Sequence, residues 1–359
     1  MPTRSETLAK AAQLRAMFEA QGAMVVEPPI LQPAETLLDL YGEDIRARAY
    51  VTSDALRGEQ MLRPDYTVPV VQMHMAHGAD PARYTYAGEV FRRQEHDPAR
   101  ANEFIQVGYE VFDRADPAVA DAEVFALISE ALQGLPVKPV TGDIGILMAA
   151  VKGLDTTERR KAALMRHIWR PRRFRSLLDR FSGKTPVPAA RATLLAGTVQ
   201  NDAPMIGLRS AQEIEARIDA LREDAQAPAL SAEQVALIAA LLDVREVMPH
   251  ALSRLHDIAV DLPAIAGAVD LAVARADALA ARGINTDQLA FEASYGRASM
   301  EYYDGFVFGF RVEARPDLPA IASGGRYDAL TKRLGQGDEI PAVGGVMRPG
   351  LMLELEALQ

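Results

Sequence analysis

Two neighbouring segments, residues 84–94 and 104–113, each alternate in polarity and are joined by a nine-residue polar loop. A period of two is typical of β-strands, and a short connection of this kind favours an antiparallel hairpin. In the second segment Gln106 and Glu110 share one face of the predicted strand. The first segment contributes Arg92 near the loop. This is more ordered polarity than a surface hairpin needs, so the pattern indicates a sheet with a binding site on one face.

The order of predicted elements defines the fold class. Residues 3–20 form an opening helix with a capping box, Thr3 with Glu6, and strand patterns dominate residues 1–152 and 283–359. Residues 153–282 are rich in Ala and Leu, with helix starts at Ser210 and Ser231, and we interpret them as a mostly helical insertion. The sequence therefore predicts an α+β fold: an antiparallel sheet flanked by helices, interrupted by a helical insertion.

Composition excludes several classes of site. The chain of 359 residues has no cysteine, which excludes disulfides, thiolate nucleophiles and cysteine-ligated metals and favours the cytoplasm. The pair His74 and His77 lacks a third ligand at suitable spacing, so we expect no metal. No apolar run reaches about 18 residues, so we expect no membrane association. The net charge of −10 disfavours extensive RNA binding.

One segment departs from this acidic balance. Residues 158–184 hold most of the positive excess of the chain. Three interpretations stay open: a solvated helical face, an RNA contact, or a surface that docks on an acidic partner.

Several motifs resemble those of one enzyme family. The stretch FRRQEHDPARANEFIQVGYEVFD resembles motif 2 of class II aminoacyl-tRNA synthetases, and specifically of the histidyl enzymes. Five further segments are similar to motifs of that family and occur in its order: VVEPPIL (25–31), LRPDYTVPV (62–70), MEYYDGFVF (300–308), SGGRYDAL (323–330) and PAVGGVM (341–347). The resemblance implies the class II synthetase catalytic core as the fold.

The resemblance also implies a pocket for L-histidine. Its residues would be Asp65 and Thr67 at the ammonium, Gln106 and Glu110 on the return strand of motif 2, with Glu110 toward the imidazole, and Tyr302, Tyr303 and Tyr327 around the side chain. A carboxylate suits an ammonium group, and a carboxylate or phenol oxygen suits an imidazole N–H. Each residue taken singly also fits an ordinary polar strand face or sheet packing.

The ATP half of the synthetase site departs from the family pattern. Arg92 is kept, but Gln94 stands where the family has a glutamate. Ala298 and Leu351 stand where the family has arginines at the reacting phosphate and the triphosphate. Arg348 lies one turn before Leu351 and could compensate in part. Each lost donor of this kind costs roughly a hundredfold to a thousandfold in rate. We therefore expect a vestigial nucleotide site and no catalytic residues.

A synthetase-like core of this kind is similar to the histidyl-tRNA synthetase-like regulatory subunits of ATP phosphoribosyltransferase. The resemblance implies a non-catalytic partner of the short-form catalytic subunit, required for the first step of histidine biosynthesis. L-Histidine would be its feedback ligand, with no cofactor, and the chain would self-associate as a synthetase-like dimer. The chain ends 18 residues after Pro341, so we expect no anticodon-binding domain and no tRNA partner.

Two other functions stay open at this point. The first is a histidine-activating ligase that acts on a non-tRNA acceptor, which would need Arg348 or Arg297 to replace the missing arginines. The second is a scaffold that binds no ligand. Histidine-dependent exchange between ATP and pyrophosphate would identify the ligase, and absence of histidine binding would identify the scaffold.

Overall fold

The fold is organised around a large mixed sheet. The computed structural model describes residues 2–35, 37–38, 40, 47–94, 100–197, 206–297 and 302–358. Within these ranges nine strands form one sheet in the order β1-β5-β6-β12-β11-β10-β7-β9-β8, and three form a small antiparallel sheet, β2-β4-β3. The strands are β1 Met24–Val25, β2 Leu31–Pro33, β3 Val51–Asp54, β4 Gly58–Leu62, β5 Ala82–Phe91, β6 Glu103–Phe112, β7 Lys138–Asp143, β8 Arg245–Val247, β9 Ala290–Glu292, β10 Phe306–Arg311, β11 Ala322–Arg326 and β12 Ala342–Met347.

Helices flank the sheet and fill the insertion. We number them α1 Arg4–Ala20, α2 Thr67–His77, α3 Pro117–Ala131, α4 Ile144–Lys152, α5 Glu158–Arg166, α6 Pro171–Phe181, α7 Ala189–Leu195, α8 Ala211–Gln226, α9 Ala232–Leu242, α10 Met248–Asp261, α11 Ala266–Ala281, α12 Asp328–Leu334 and α13 Pro349–Glu356. In the described part of the chain, no helix is both long enough and apolar enough to cross a membrane.

The predicted hairpin is confirmed as β5 and β6, which pair antiparallel in the register Tyr84 opposite Glu110. The predicted alternation in β6 also holds. On one face Tyr109 stacks on Phe18 of α1 at 4.9 Å and donates a hydrogen bond to Glu123 of α3. On the other face Glu110 lies 1% exposed. The alternative of a solvent-facing polar strand is therefore wrong for this residue.

Local capping signals correctly predict helix starts. Thr3 and Glu6 make both bonds of a capping box at α1, and Ser210 and Glu213 make the same pair at α8. Ser231 accepts from the backbone N–H of Gln234 at α9. These devices satisfy N–H groups that the first helical turn leaves unpaired, and they depend on residues three apart, which a sequence displays directly.

The α+β fold class is confirmed, but the sheet is not antiparallel throughout. Strand β1 pairs parallel with β5, and β7 pairs parallel with β9. Both pairs join strands that are distant in the chain, because parallel pairing requires a long crossover. The predicted helical insertion also supplies β8, which pairs with β9. In the segment that contains the tyrosine pair, the strand begins only at Phe306.

A buried ion cluster ties the insertion to the sheet. Arg275 of α11 donates to Asp121 of α3 at 2.7 Å and to Asp143, the last residue of β7, at 2.8 Å. Arg326 of β11 donates to the other oxygen of Asp121 at 2.7 Å. Each of these four side chains is at most 7% exposed. Charges buried this deeply are tolerated only when paired, so the cluster fixes α11 against the core.

We expect Arg275→Ala to lower the free energy of unfolding by about 3–5 kcal/mol, because it leaves Asp143 buried without its cation. Urea unfolding followed by circular dichroism measures this. Arg254→Ala is the matched control: Arg254 pairs with Glu246 at 2.9 Å, but its side chain is 42% exposed. That control should cost less than about 1 kcal/mol. Equal losses for the two variants would contradict a structural role for the cluster.

Candidate ligand-binding site

The seven residues predicted to bind histidine all come from buried positions on one side of the sheet. They come from the turn before α2, from α2 itself, from β6, and from the segments before β10 and after β11. Their exposed fractions are at most 8%: Asp65, Thr67, Gln106, Glu110, Tyr302, Tyr303 and Tyr327. The ligand itself stays a prediction, but the fold assembles residues up to 262 positions apart on one side of the sheet.

Glu110 is the centre of this site. Its Oε1 accepts hydrogen bonds from the hydroxyls of Thr67 at 3.1 Å and Tyr86 at 2.8 Å. Its Oε2 accepts from the hydroxyl of Tyr327 at 2.5 Å. A carboxylate has about four lone-pair positions, so three protein donors leave room for one ligand donor.

Burial raises the pKa of Glu110 to about 7, against the lowering effect of its three hydroxyl donors. The negative charge of nearby Asp65 adds to this rise. Desolvation disfavours the charged form of a carboxyl group, and a like charge acts in the same direction. Two buried acids that repel each other favour a ligand that brings positive charge and N–H donors.

Glycines make the space that this arrangement needs. A Cβ on Gly344 of β12 would lie 1.5 Å from Glu110 Oε2, and a Cβ on Gly108 would lie 2.2 Å from the ring of Tyr86. Gly325 of β11 has the same relation to the ring of Tyr303, at 2.8 Å. Neighbouring strands therefore carry no side chain where the site residues lie against the sheet.

Gln106 has unused hydrogen-bonding capacity. It lies four residues before Glu110 on the same face of β6 and is fully buried, opposite Gly88 of β5. Neither its Nε2 nor its Oε1 has a hydrogen-bond partner in the part of the chain that the structure describes. Buried carboxamides normally have partners, because an unpaired buried polar group costs about 1–3 kcal/mol. A polar ligand that both donates and accepts would satisfy this side chain.

Arg63 fixes the segment that carries Asp65 and Thr67. Its guanidinium donates to the carbonyl oxygens of Glu89 and Pro28 and to the hydroxyl of Tyr66. Tyr66 in turn stacks on Tyr86, with ring centroids 4.1 Å apart. These contacts hold the start of α2 against β5.

The tyrosines form an aromatic wall beside Glu110. The rings of Tyr302 and Tyr303 lie 4.8 Å apart, and Tyr302 meets Tyr327 edge-on at 6.2 Å. Tyr86 also belongs to the site, through its hydrogen bond to Glu110, but was not among the predicted residues. The signal for it was present, since Tyr86 lies on the Glu110 face of the hairpin by simple alternation and opposite a glycine.

A second cavity, of about 630 Å³, contains the residues predicted to form the vestigial nucleotide site. Arg92, Gln94 and Leu351 all line it, together with Arg348. Ala298, the remaining predicted member, lies outside the described residues. That these residues no longer support adenylation stays a prediction.

Arginines dominate the electrostatics of this second cavity. The half-buried guanidinium of Arg348 lies over the ring of Phe104 at 5.3 Å. Burial and the neighbouring charges of Arg92, Arg100 and Arg48 lower its pKa to about 9. Arg297 lies elsewhere, because it donates to the carbonyl oxygen of Ile168 in the insertion. Of the two arginines that could serve a ligase, Arg348 lines the cavity, whereas Arg297 does not.

His74 has a packing role in this structure. Its ring stacks on Phe112 at 3.9 Å, its Nδ1 lies 3.0 Å from the hydroxyl of Tyr84, and burial lowers its pKa. In the described ranges, no group of three His, Asp or Glu side chains is placed to hold a metal ion.

Comparisons with known proteins match this architecture. A family model described as histidyl-tRNA synthetase matches residues 2–227 and 208–349. A protein of Brucella ovis named ATP phosphoribosyltransferase regulatory subunit is 32% identical over 357 residues, covering 92% of this chain and 93% of its own. A protein of the same name from Brucella anthropi is 31% identical with the same coverage.

Solved structures share the fold. One is described as an ATP phosphoribosyltransferase regulatory subunit/histidyl-tRNA synthetase from Bacillus halodurans; its TM-score is 0.69 at 21% identity, covering 98% of this chain and 79% of that one. A histidine–tRNA ligase subunit from Alicyclobacillus acidocaldarius gives a TM-score of 0.60 at 23% identity, covering 99% of this chain and 94% of that one.

The raised pKa of Glu110 predicts a pH dependence of stability. The folded state holds this proton up to pH about 7, whereas an unfolded glutamic acid releases it near 4.5. Stability from this group is therefore fully present below pH 4.5 and is lost as the pH rises through about 7. The free energy of unfolding should fall by up to about 1.4 kcal/mol per pH unit in that window.

Glu110→Gln cannot titrate and should lack this component. We expect the unfolding free energy of wild type minus that of Glu110→Gln to fall by about 2–3 kcal/mol from pH 5 to pH 7.5, because only wild type loses stability with this group. Urea titrations at four pH values measure it, with the exposed Glu130→Gln as control. Parallel pH profiles for wild type and Glu110→Gln would show that Glu110 is ionised throughout.

Proposed function

Because the chain belongs to the histidyl-tRNA synthetase-like family of ATP phosphoribosyltransferase regulatory subunits, we propose that it senses L-histidine in the pocket around Glu110. As a regulatory subunit of ATP phosphoribosyltransferase it is not itself the catalytic component. In this proposal its partner is the short-form catalytic subunit, which it activates, and bound histidine reverses that activation. The observation that carries the proposal is the buried pairing of Glu110 with three hydroxyl groups beside an unsatisfied Gln106.

The chemistry of histidine matches the pocket group by group. Its ammonium is assigned to Asp65 and Thr67, and an imidazole N–H to the remaining lone pair of Glu110. The flat imidazole ring lies against the tyrosine wall. The carboxamide of Gln106 can both donate and accept, as the polar end of an amino acid requires.

Feedback follows from linkage. If histidine binds more tightly to the chain in the less active arrangement of the complex, histidine shifts the complex toward that arrangement. The catalytic subunit must then change histidine affinity by the same factor, and couplings of about 1–3 kcal/mol are usual.

We also propose self-association as a synthetase-like dimer, with no tRNA partner and no cofactor. Sedimentation of the purified chain tests the dimer.

The first test is ATP phosphoribosyltransferase turnover by the short catalytic subunit of the same organism. It is measured with that subunit alone, with this chain added, and with this chain plus histidine. We expect activation by the chain and its reversal by histidine. No activation would contradict the regulatory pairing, and activation that histidine leaves unchanged would contradict the sensor role.

The ligase alternative rests on Arg348, which lies in the second cavity next to Arg92. Histidine-dependent exchange of pyrophosphate into ATP by the purified chain separates the two functions. Exchange at an enzyme-like rate would favour the ligase, whereas its absence together with histidine binding favours the sensor. A chain that shows neither exchange nor histidine binding would be a scaffold.

We predict that Glu110→Ala and Glu110→Gln both raise the histidine concentration needed for half-inhibition at least about tenfold. Each variant removes the carboxylate that meets the imidazole in this proposal. One hydrogen bond to a charged group contributes about 1.5–3 kcal/mol. Assembly with the catalytic subunit should persist, because Glu110 is buried and not at a surface. The exposed Glu130→Gln serves as control. Undiminished inhibition in both Glu110 variants would overturn the assignment of the pocket.

A further inference from the structure

The helix pair α5 and α6 carries an arginine-rich face that the fold itself does not explain. Residues 158–184 contain ten Lys and Arg against two Asp and Glu. Arg160 is used internally, since it is 6% exposed and donates to Asp224 of α8 at 2.7 Å. By contrast, four exposed arginines make no ion pair within the described part of the chain, and we call them the arginine-rich face: Arg166, Arg172, Arg173 and Arg175.

Helix physics disfavours this arrangement. Arg172, Arg173 and Arg175 occupy the first two turns of α6, which begins at Pro171. The N-terminus of a helix carries partial positive charge, so cations there are unfavourable. Arg172 and Arg175 are also three residues apart, where like charges repel. These charges therefore lower the folding stability of the isolated chain. We expect a binding partner with negative charge to stabilise them.

Buried nitrogen atoms at the α5–α6 junction point to the same conclusion. Arg297 is 5% exposed; its Nε donates to the carbonyl oxygen of Ile168 at 2.8 Å and its guanidinium lies 4.8 Å from the ring centre of Phe174. Within the described ranges its Nη2 is buried and has no hydrogen-bond partner, and the same is true of Trp169 Nε1 and His167 Nδ1. Among these described residues no carboxylate pairs with the Arg297 guanidinium, and a buried guanidinium without a carboxylate is rare because its charge is not compensated.

We infer that the arginine-rich face is the surface on which this chain docks to a carboxylate-rich surface of the catalytic subunit. The inference rests on the proposed function for the identity of the partner. Carboxylates are planar acceptors that suit guanidinium groups, and interfaces use arginine more than lysine for such pairs. Residues 158–184 contain ten Lys and Arg, but the rest of the chain carries a net charge of −18, which repels an extended polyanion such as RNA.

The position of Arg297 connects this surface with the ligand pocket. Tyr302 and Tyr303 of the aromatic wall follow Arg297 by five and six residues. Arg297 is 5% exposed, so it would not meet the partner directly; its hydrogen bond to the carbonyl oxygen of Ile168, between α5 and α6, links it to the arginine-rich face. Docking and histidine binding would then both act on residues 297–303, so that the two sites share one segment of the chain.

The test compares two double charge reversals on the full-length chain. Arg172→Glu with Arg173→Glu alters the arginine-rich face, and Arg209→Glu with Arg217→Glu makes the same charge change at two exposed arginines around α8. The dissociation constant of the complex with the purified short-form catalytic subunit is measured by sedimentation at three salt concentrations. We expect the first variant to weaken the complex more than about tenfold and to lose its salt dependence, and the control to match wild type.

Arg297→Leu supplies a second measurement whose sign is informative. Removal of an uncompensated buried charge should raise the unfolding midpoint of the free chain, because an apolar side chain fits a buried site better. The same variant should weaken the complex, since the connection between α5 and α6 loses the hydrogen bond from Arg297 to the carbonyl oxygen of Ile168. A residue with a purely structural role would show a lowered unfolding midpoint and an unchanged complex.

The outcomes separate this inference from the proposed function. Failure of the wild-type chain to bind the catalytic subunit would contradict the proposed function, and with it the identity of the partner. Normal binding by wild type and by the Arg172/Arg173 variant alike would overturn the docking surface and leave the proposed function standing. Binding of bulk tRNA by wild type that the same variant abolishes, while the complex stays intact, would assign the face to RNA and overturn the inference.

Discussion

The ligand pocket depends on one buried carboxylate, that of Glu110 in the middle of a central strand. A carboxylate without solvent is stable only where donors surround it, and Thr67, Tyr86 and Tyr327 supply them from three different segments. Those hydroxyl groups are held by the first residue of α2, by the partner strand of the hairpin and by the residue that follows β11. Because each donor comes from a separate element, the carboxylate fixes these elements relative to one another, and a ligand that engages it acts on all of them.

A second buried cluster, centred on Asp121, joins the strand next to Tyr327 to the helical insertion. Asp121 accepts from Arg275 of the insertion and from Arg326 of β11, and Arg326 is the residue directly before Tyr327. The pocket and the insertion therefore meet at adjacent residues of one chain. Such a layout suits a regulatory subunit, because a change at the ligand can reach a distant surface through packed and paired side chains rather than through mobile loops.

Two groups of arginines stand out in this acidic chain. Around the second cavity, Arg348 lies among other arginines, and their mutual repulsion together with burial lowers its pKa to about 9. Arg172, Arg173 and Arg175 lie at the N-terminal end of α6, where the helix dipole disfavours cations. Both arrangements cost folding stability in an otherwise acidic protein. Stability is commonly lower where function requires it, and the candidate site follows the same pattern at Gln106, whose carboxamide has no partner in the described ranges.

The sequence by itself determined the features that depend on short separations: the hairpin, the face shared by Gln106 and Glu110, the capping boxes at Thr3 and Ser210, and the helical character of the insertion. Periodicity and capping act between residues two to four apart, so they can be seen without a structure. Only the tertiary structure decided that Tyr86 joins the pocket, that β8 and two parallel pairs enter the sheet, and that Arg297 turns toward Ile168. Tyr327 and Glu110 are 217 residues apart and Arg275 and Asp121 are 154 apart, and no local pattern encodes such contacts. They arise because buried charges and hydroxyl groups must find partners wherever the packed sheet brings them together.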